Sequence, residues 1–410
     1  MKRHWVLMLG LAAIVGAATV VVSPTQAQAP RLGRNIKVGI VDTYSGPPAI
    51  FSNDALNGFK LALEDINKAG VLGARIDFVT RDEKFSPEIG LSMARDLVLQ
   101  EKVDLLVGTI NSATALAISA FAREQKVPFI VWISKSEAIT GARGHRYVFS
   151  AGENTAMAGR AIAEFVSRRP YQKWWIGAED YEYGHAVTNS FWRFMKRVKP
   201  EVTLAGQTWW KTGEPDLVPY LTAIMSARPD AVFFGTGGAG MSNVLKTMRA
   251  IGFAERVPSV IHTAIDYTAL KPLGPNAPEG VMGTTDYLFY YPETPDNQAF
   301  VRAFQAAYGG PPGFPAFHGY NTAYFIAGAF RKAGSLDPER FIDALEGLKI
   351  KTPVGEVEMR TCDHQAVLPI FAGVTKKSPQ FDFLVASNIV TLRGPEVMPT
   401  CDDIRRVRGQ

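Results

Sequence analysis

Short apolar runs along the chain alternate with longer stretches in which apolar side chains recur every third or fourth position. The clearest unit spans residues 36–70. Residues 36–41 (IKVGIV) are almost wholly apolar, as expected of a strand covered on both faces of a parallel sheet. Phe59, Ala62, Leu63 and Ile66 then form one stripe of an amphipathic helix. Ser52, Asn53 and Asp54 are candidate caps for that helix, and Gly70 is its candidate stop. The intervening loop, 42–51, leaves the carboxyl end of a strand, where open α/β sheets place their ligands.

The same alternation continues downstream. Strands are expected at 74–80, 103–107, 127–132 and 146–150, with helices starting at Ser86-Pro87 and running from 111 to 125. A second series follows: helix 154–168, strand 174–178, a helix carrying Val187, Phe191, Met195 and Val198 on one face, and strand 203–209. It is completed by helix 217–226, strand 231–234, helix 243–251 and strand 259–263. Beyond residue 280 the pattern predicts a strand at 281–289 and helices at 296–308, 320–333 and 338–345. Short strands at 355–358 and 366–374 and an irregular tail end the chain. Strands alternating with helices through short connections mean doubly wound α/β architecture, in two series with no fixed-period repeat.

Composition adds an address. Lys2 and Arg3 precede an apolar run over 5–22, and small residues follow at Thr25, Ala27 and Ala29. This is the pattern of a secretory signal peptide over 1–27, removed after Ala27, with an uncleaved anchor as the alternative. Of the formal charge of +5, two units lie in that leader, leaving about +3 spread thinly over the remaining chain. Only Arg405, Arg406 and Arg408 are locally basic, so nucleic acid is not an expected partner. The two cysteines, Cys362 and Cys401, read as a disulfide in an exported protein. Two unpaired buried thiols are the alternative.

Catalytic signatures do not emerge. There is no H-E-x-x-H, G-x-S-x-G or Walker loop, and the histidines, including His145, His185, His262 and His318, show no metal spacing, so no metal or cofactor is expected. Gly235, Gly237 and Gly240 do match G-x-G-x-x-G after a strand, with Asp266 downstream. An exported chain lacking accompanying catalytic groups favours another reading: glycines where a strand end approaches a ligand or a second lobe. Strand-to-helix loops carry the remaining candidates. Asn111, Ser112 and Thr114 lie at a helix start suited to an anion, and Ser134, Lys135 and Ser136 follow the next strand. Tyr44, Phe51, Trp132 and Tyr183 are candidate flat apolar walls.

Ser45-Gly46-Pro47, Asn57-Gly58 with Leu61, Ala62 and Asn67, the run VDLLVGTINSATALAI, DYEYG at 180–184 and YNTAYFIAGAFRKAG at 320–334 carry a likeness that spans nearly the whole exported chain. Through them the sequence resembles the branched-chain amino acid binding proteins of ABC transporters. The resemblance implies a type I periplasmic binding protein fold, two doubly wound α/β lobes joined by a three-crossover hinge. Lobe 1 is expected to comprise 35–149 plus 284–360, and lobe 2 150–283 plus 361–410, with crossings near Ser150, near Gly283 and after Arg360. It further implies a periplasmic, monomeric protein that hands a small-molecule solute to a membrane permease and catalyses nothing. A ligand-sensing receptor of the same fold and an exported enzyme are the competing classes.

The resemblance places ligand contacts at Phe51, Ser112 with Asn111, Ser134 with Lys135, and Tyr183. One position departs from the pattern. The acid that receives an amino acid's ammonium falls at Gly240, and Lys135 stands where a threonine is usual. An enclosed ammonium without a partner costs several kcal/mol. The expected ligand is therefore a carboxylate with an apolar or aromatic body. An amino acid whose ammonium meets Asp180, Asp266 or Asp286 is the alternative.

Overall fold

A computed structural model describes residues 1–2 and 31–410, so the leader over 1–27 lies outside the described residues. Strands β1 (Ile36–Asp42), β2 (Ile76–Asp82), β3 (Leu105–Gly108), β4 (Phe129–Val131) and β5 (Val148–Ser150) form a parallel sheet in the order β2-β1-β3-β4-β5. Helices α1 (Ala49–Ala69), α2 (Pro87–Leu99) and α3 (Ser112–Gln125) connect its strands. The unbroken apolar runs are explained by burial: every residue of β3 and β4 is buried.

The second series builds a seven-stranded sheet in the order β14-β13-β10-β9-β8-β6-β7. Strands β6 (Lys173–Glu179), β7 (Thr203–Trp210), β8 (Ala231–Gly235), β9 (Ser259–Ile261) and β10 (Met282–Thr285) are parallel. They alternate with helices α4 (Thr155–Ser167), α5 (Glu182–Val198), α6 (Val218–Ala227), α7 (Gly238–Ile251) and the short α8 (Tyr267–Leu270). The chain then returns to the first sheet's neighbourhood with α9 (Pro295–Tyr308), α10 (Phe314–Ala333) and α11 (Pro338–Leu345), and a hairpin of β11 (Lys349–Thr352) and β12 (Gly355–Glu358). Strands β13 (Ile370–Lys377) and β14 (Leu384–Leu392) rejoin the seven-stranded sheet as an antiparallel edge, before helices α12 (Gly394–Val397) and α13 (Cys401–Arg408).

Helix α10 lies against α1, and two glycines set how closely. A Cβ on Gly58 would come within 1.9 Å of the Ala316 carbonyl oxygen, and one on Gly319 within 1.9 Å of that of Ala55. Around this crossing Phe59, Trp132, Phe317, Phe325 and Phe330 close one continuous core. Cys362 and Cys401 are bonded, which fastens α13 to the body. Arg408 of that helix also donates to the carbonyls of Thr140 and Cys362.

Several boundaries differ from the sequence reading for physical reasons. Helix α1 begins at Ala49 behind Pro48, with no side-chain cap. Ser52 and Asp54 sit inside it because their oxygens have tertiary partners: Ser52 Oγ donates to Asp42, and Asp54 accepts from the Gly313 and Ala316 amides. Helix α7 starts at Gly238 rather than 243, and the tail expected to be irregular contains β14 and α13. No helix among the described residues is long and apolar enough to cross a membrane.

Candidate functional site

The carboxyl ends of strands from both sheets face one cavity of about 800 Å³. In each sheet one strand is flanked by a neighbour that precedes and one that follows the reversal of strand order: β1 lies between β2 and β3, and β6 between β7 and β8. Loops leaving such reversal points diverge and open a crevice. Ile110 and Ser112 reach the cavity from the β3 loop, and Ile133 and Lys135 from the β4 loop. Glu179, Tyr181 and Tyr183 reach it from the end of β6, Trp210 from β7, and Gly237 to Gly240 from the loop after β8. Phe51, Phe85, Tyr181, Tyr183, Trp210 and Phe314 contribute six aromatic rings to a lining that also includes Glu179, Glu214 and Lys246.

Asp42, at the end of β1, ties the first wall together. Its carboxylate accepts from the amides of Thr43 and Ile110 and the Ser52 hydroxyl, each at 2.8 Å, and from Trp132 Nε1 at 2.5 Å. Burial nonetheless raises its pKa. Trp132 is thereby committed to the core, and neither it nor Tyr44 lines the cavity, contrary to the sequence reading. Phe51, in the first turn of α1, does line it, with its ring 6.2 Å from that of Phe314.

The sequence candidates separate into two groups. Phe51, Ser112, Lys135, Tyr183 and Gly240 line the cavity; Asn111 and Ser134 do not. Asn111 is the N-cap of α3: its Oδ1 accepts from the Ala113 and Thr114 amides at 2.9 and 3.3 Å, while Nδ2 donates to the Phe85 carbonyl. Ser134 Oγ donates to the Thr109 carbonyl at 2.6 Å. Both side chains are occupied in shaping the loops. The acids considered for an ammonium also lie elsewhere: Asp180 is exposed beside His185, Asp266 caps α8 and α10, and Asp286 faces His318.

Lys135 is not a free cation. Its Nζ lies 2.7 Å from Glu153 Oε1 and 4.3 Å from the centre of the Phe314 ring. The contact is a close ion pair without hydrogen-bond alignment, and Nζ itself is closed off from solvent. Burial pushes Glu153 up, but the Lys135 charge and the hydrogen bond from His262 prevail and hold it well below the usual range. His262 Nε2 is 3.0 Å from Glu153, and His262 Nδ1 is 2.9 Å from Tyr183 Oη. Burial lowers the pKa of His262, so the ring is neutral, and an ionised Glu153 assigns its proton to Nε2. Tyr183 then donates to His262, His262 to Glu153, and Glu153 faces Lys135. This buried chain joins the two walls of the cavity.

Glu153, Asp286 and His318 also bring potential ligand atoms within 4.8 Å of one another. Both carboxylates already have close partners, His318 Nε2 at 2.6 Å from Asp286 and Lys135 Nζ at 2.7 Å from Glu153. The Lys135 ammonium beside Glu153 opposes a divalent ion there.

Glu179 falls just past the strand expected over 174–178 and is absent from the sequence candidates. It ends β6 and is 2% exposed. Oε2 accepts from Thr236 Oγ1 at 2.7 Å, and Oε1 is 3.4 Å from the Gly213 amide. Burial raises its pKa against those bonds and a contribution from the Gly237 amide. A Cβ at Gly240 would lie 2.2 Å from Oε2, so that glycine makes room for the carboxylate. The glycine-rich turn is thus filled by the chain's own anion where a dinucleotide phosphate would lie. An acid closing an apolar strand, WWIGAE, was the available signal.

Comparison with known proteins gives concordant relationships. The family described as periplasmic binding protein matches residues 35–378. The leucine-, isoleucine-, valine-, threonine- and alanine-binding protein of Pseudomonas aeruginosa is 24% identical over 324 residues, 78% of this chain and 85% of that protein. A crystal structure of a periplasmic binding protein from Burkholderia mallei superposes with a TM-score of 0.83 at 20% identity, covering 90% of this chain and 98% of that one. The solute binding protein of an ABC transporter from Rhodopseudomonas palustris BisB5, in complex with 3,4-dihydroxybenzoic acid, gives 0.79 at 21% identity, covering 88% and 98%. At these identities the structures establish the shared α/β fold.

Proposed function

Because the chain belongs to the periplasmic binding protein family, we propose that it is the solute receptor of an ABC importer, acting outside the cytoplasm. It captures a small carboxylate with an apolar or aromatic body and delivers it to a membrane permease. The two sheets are the cores of two lobes, 35–149 plus 284–360 and 150–283 plus 361–410, which close on the solute as a hinge. The leader directs the protein to the periplasm, and binding is its whole activity. The observation that carries the ligand class is the cavity itself. Six aromatic rings stand in its walls, and Lys135 and Ser112 are lining residues on one of them, where they receive the ligand's carboxylate. Relatives of the same fold include proteins solved with 4-hydroxybenzoate and benzoate.

A second reading, an aliphatic α-amino acid, gains from the Lys135–Glu153 pair. A lysine whose charge is matched at 2.7 Å repels an ammonium far less than a free one. Thermal-shift screening of the exported chain against benzoate, 4-hydroxybenzoate, short branched fatty acids, leucine, isoleucine and valine separates the two. A ligand at a hundred times its Kd stabilises by ~2.7 kcal/mol. Shifts with the aromatic or aliphatic acids support the first reading. Shifts with leucine, isoleucine or valine alone overturn it in favour of the second.

A further inference from the structure

Resting on the carboxylate reading above, we propose that Glu179 is a second recognition point, accepting a hydrogen bond from an O–H or N–H group carried by the ligand apart from its carboxylate. Among the described residues no cation pairs with Glu179, in contrast to Glu153, which faces Lys135 and His262. A carboxylate has about four acceptor positions. Those of Glu179 are met by Thr236 at 2.7 Å, a long contact to Gly213, and the Gly237 amide. Capacity therefore remains on a group that lines the cavity and is 2% exposed. A buried anion left in that condition is costly, and a donor brought by the ligand relieves it.

Position follows from topology. Lys135 and Ser112 stand on loops of the five-stranded sheet, whereas Glu179 ends a strand of the seven-stranded sheet. A ligand whose carboxylate meets the first wall presents its donor to the second, so Glu179 engages as the walls converge. Gly240 keeps the carboxylate in place by lacking a side chain. Both a phenolic hydroxyl and an ammonium supply the required donor.

The test compares ligands that differ only in that donor: 4-hydroxybenzoate against benzoate, and leucine against 4-methylpentanoate, titrated calorimetrically into wild type, Glu179→Gln and Gly240→Ala. In wild type the donor-bearing member of the pair that binds is expected to be about 10- to 100-fold tighter. In Glu179→Gln the amide oxygen remains engaged with Thr236 and the NH2 faces the cavity, so the ratio collapses to about threefold or less. Gly240→Ala displaces the same carboxylate without removing it and collapses the ratio too, which guards against misfolding of either variant; thermal melts of both monitor this. No wild-type preference, or a preference that survives both substitutions, overturns the role of Glu179 while leaving the carboxylate reading intact. If no acid or amino acid in the panel binds wild type, the functional reading falls and this inference with it.

Discussion

Glu153→Gln is the most exposing perturbation of the network behind the cavity. The two charges of the Glu153–Lys135 pair are 2.7 Å apart, and both side chains are nearly inaccessible. At an effective dielectric of about 20 their attraction is about 6 kcal/mol. Desolvation of both ions consumes much of that, so the pair itself contributes little net stability. Removing one partner is different, because it leaves Lys135 charged, buried and unmatched. The expected loss is about 3–5 kcal/mol in urea unfolding. Replacing both groups, as Glu153→Gln with Lys135→Met, should recover much of the loss, giving a coupling well above 1 kcal/mol in a double-mutant cycle. A ligand carboxylate that meets Lys135 takes the missing partner's place, so saturating acid should raise the melting temperature of Glu153→Gln more than that of wild type. A loss below about 1 kcal/mol, or strictly additive single and double variants, would refute the idea that this pair is electrostatically committed.

Stability should fall as pH rises from about 6.5 to 8.5. Burial and the charge of Asp266 raise Asp54 to about 7, while burial and Asp42 raise Glu83 to about 8. Carboxyls with raised folded pKa values hold protons that the unfolded chain has released, so their contribution is fully present below the unfolded value of about 4, falls as pH rises above it, and is gone once pH has passed through the folded values. The lowered histidines, His145 at about 4 and His262, oppose this only below about 6.5, where the unfolded imidazole takes up protons. Melting temperatures across that window check the sign, and Asp54→Asn should flatten the slope. A melt that rises with pH would remove these two carboxyls as the cause. Reducing the Cys362–Cys401 bond, which closes a 39-residue separation, should cost ~4 kcal/mol in the chain-entropy picture, read from urea midpoints with and without reductant.

Much of the architecture was legible because parallel strands buried on both faces are apolar throughout and their helices carry a single stripe. What escaped notice depends on partners distant in sequence. Ser52 and Asp54 have the chemistry of caps, yet Asp42 and the start of α10 engage them, which only tertiary structure reveals. Glycines at 238 and 240 mask the first turn of α7: Gly238 takes a φ of +52°, and Gly240 makes space beside Glu179. In the tail, β14 is an edge strand with exposed Val390, and its alternation is too weak to separate from loop. At the site, residue types at strand ends offered Phe51, Ser112, Lys135 and Tyr183 and the family resemblance added Gly240, all of which line the cavity, whereas Asn111, Ser134, Tyr44 and Trp132 do not. They did not reveal that Lys135 has Glu153 as a partner, 18 positions along the chain and across the fold.

That hidden partner changes how the loop after β4 and the glycine after β8 relate. On sequence, a lysine without a matching acid and a glycine in place of an acid both argued against any positive charge on the ligand. In three dimensions the two features are decoupled. Lys135 is balanced from behind by Glu153, through a chain that continues to Tyr183 on the opposite wall. Gly240 has not removed negative charge from that wall; it admits the carboxylate of Glu179 from the neighbouring strand. The cavity lining thus carries Lys135 on one wall and Glu179, Glu214 and Lys246 on the other. Such a site discriminates by where a ligand carries its polar groups rather than by its total charge, because each misplaced group leaves a buried partner unsatisfied. Phe51, fixed beside Phe314 by the Asp42–Ser52 bond, then sets the apolar separation between the two polar ends.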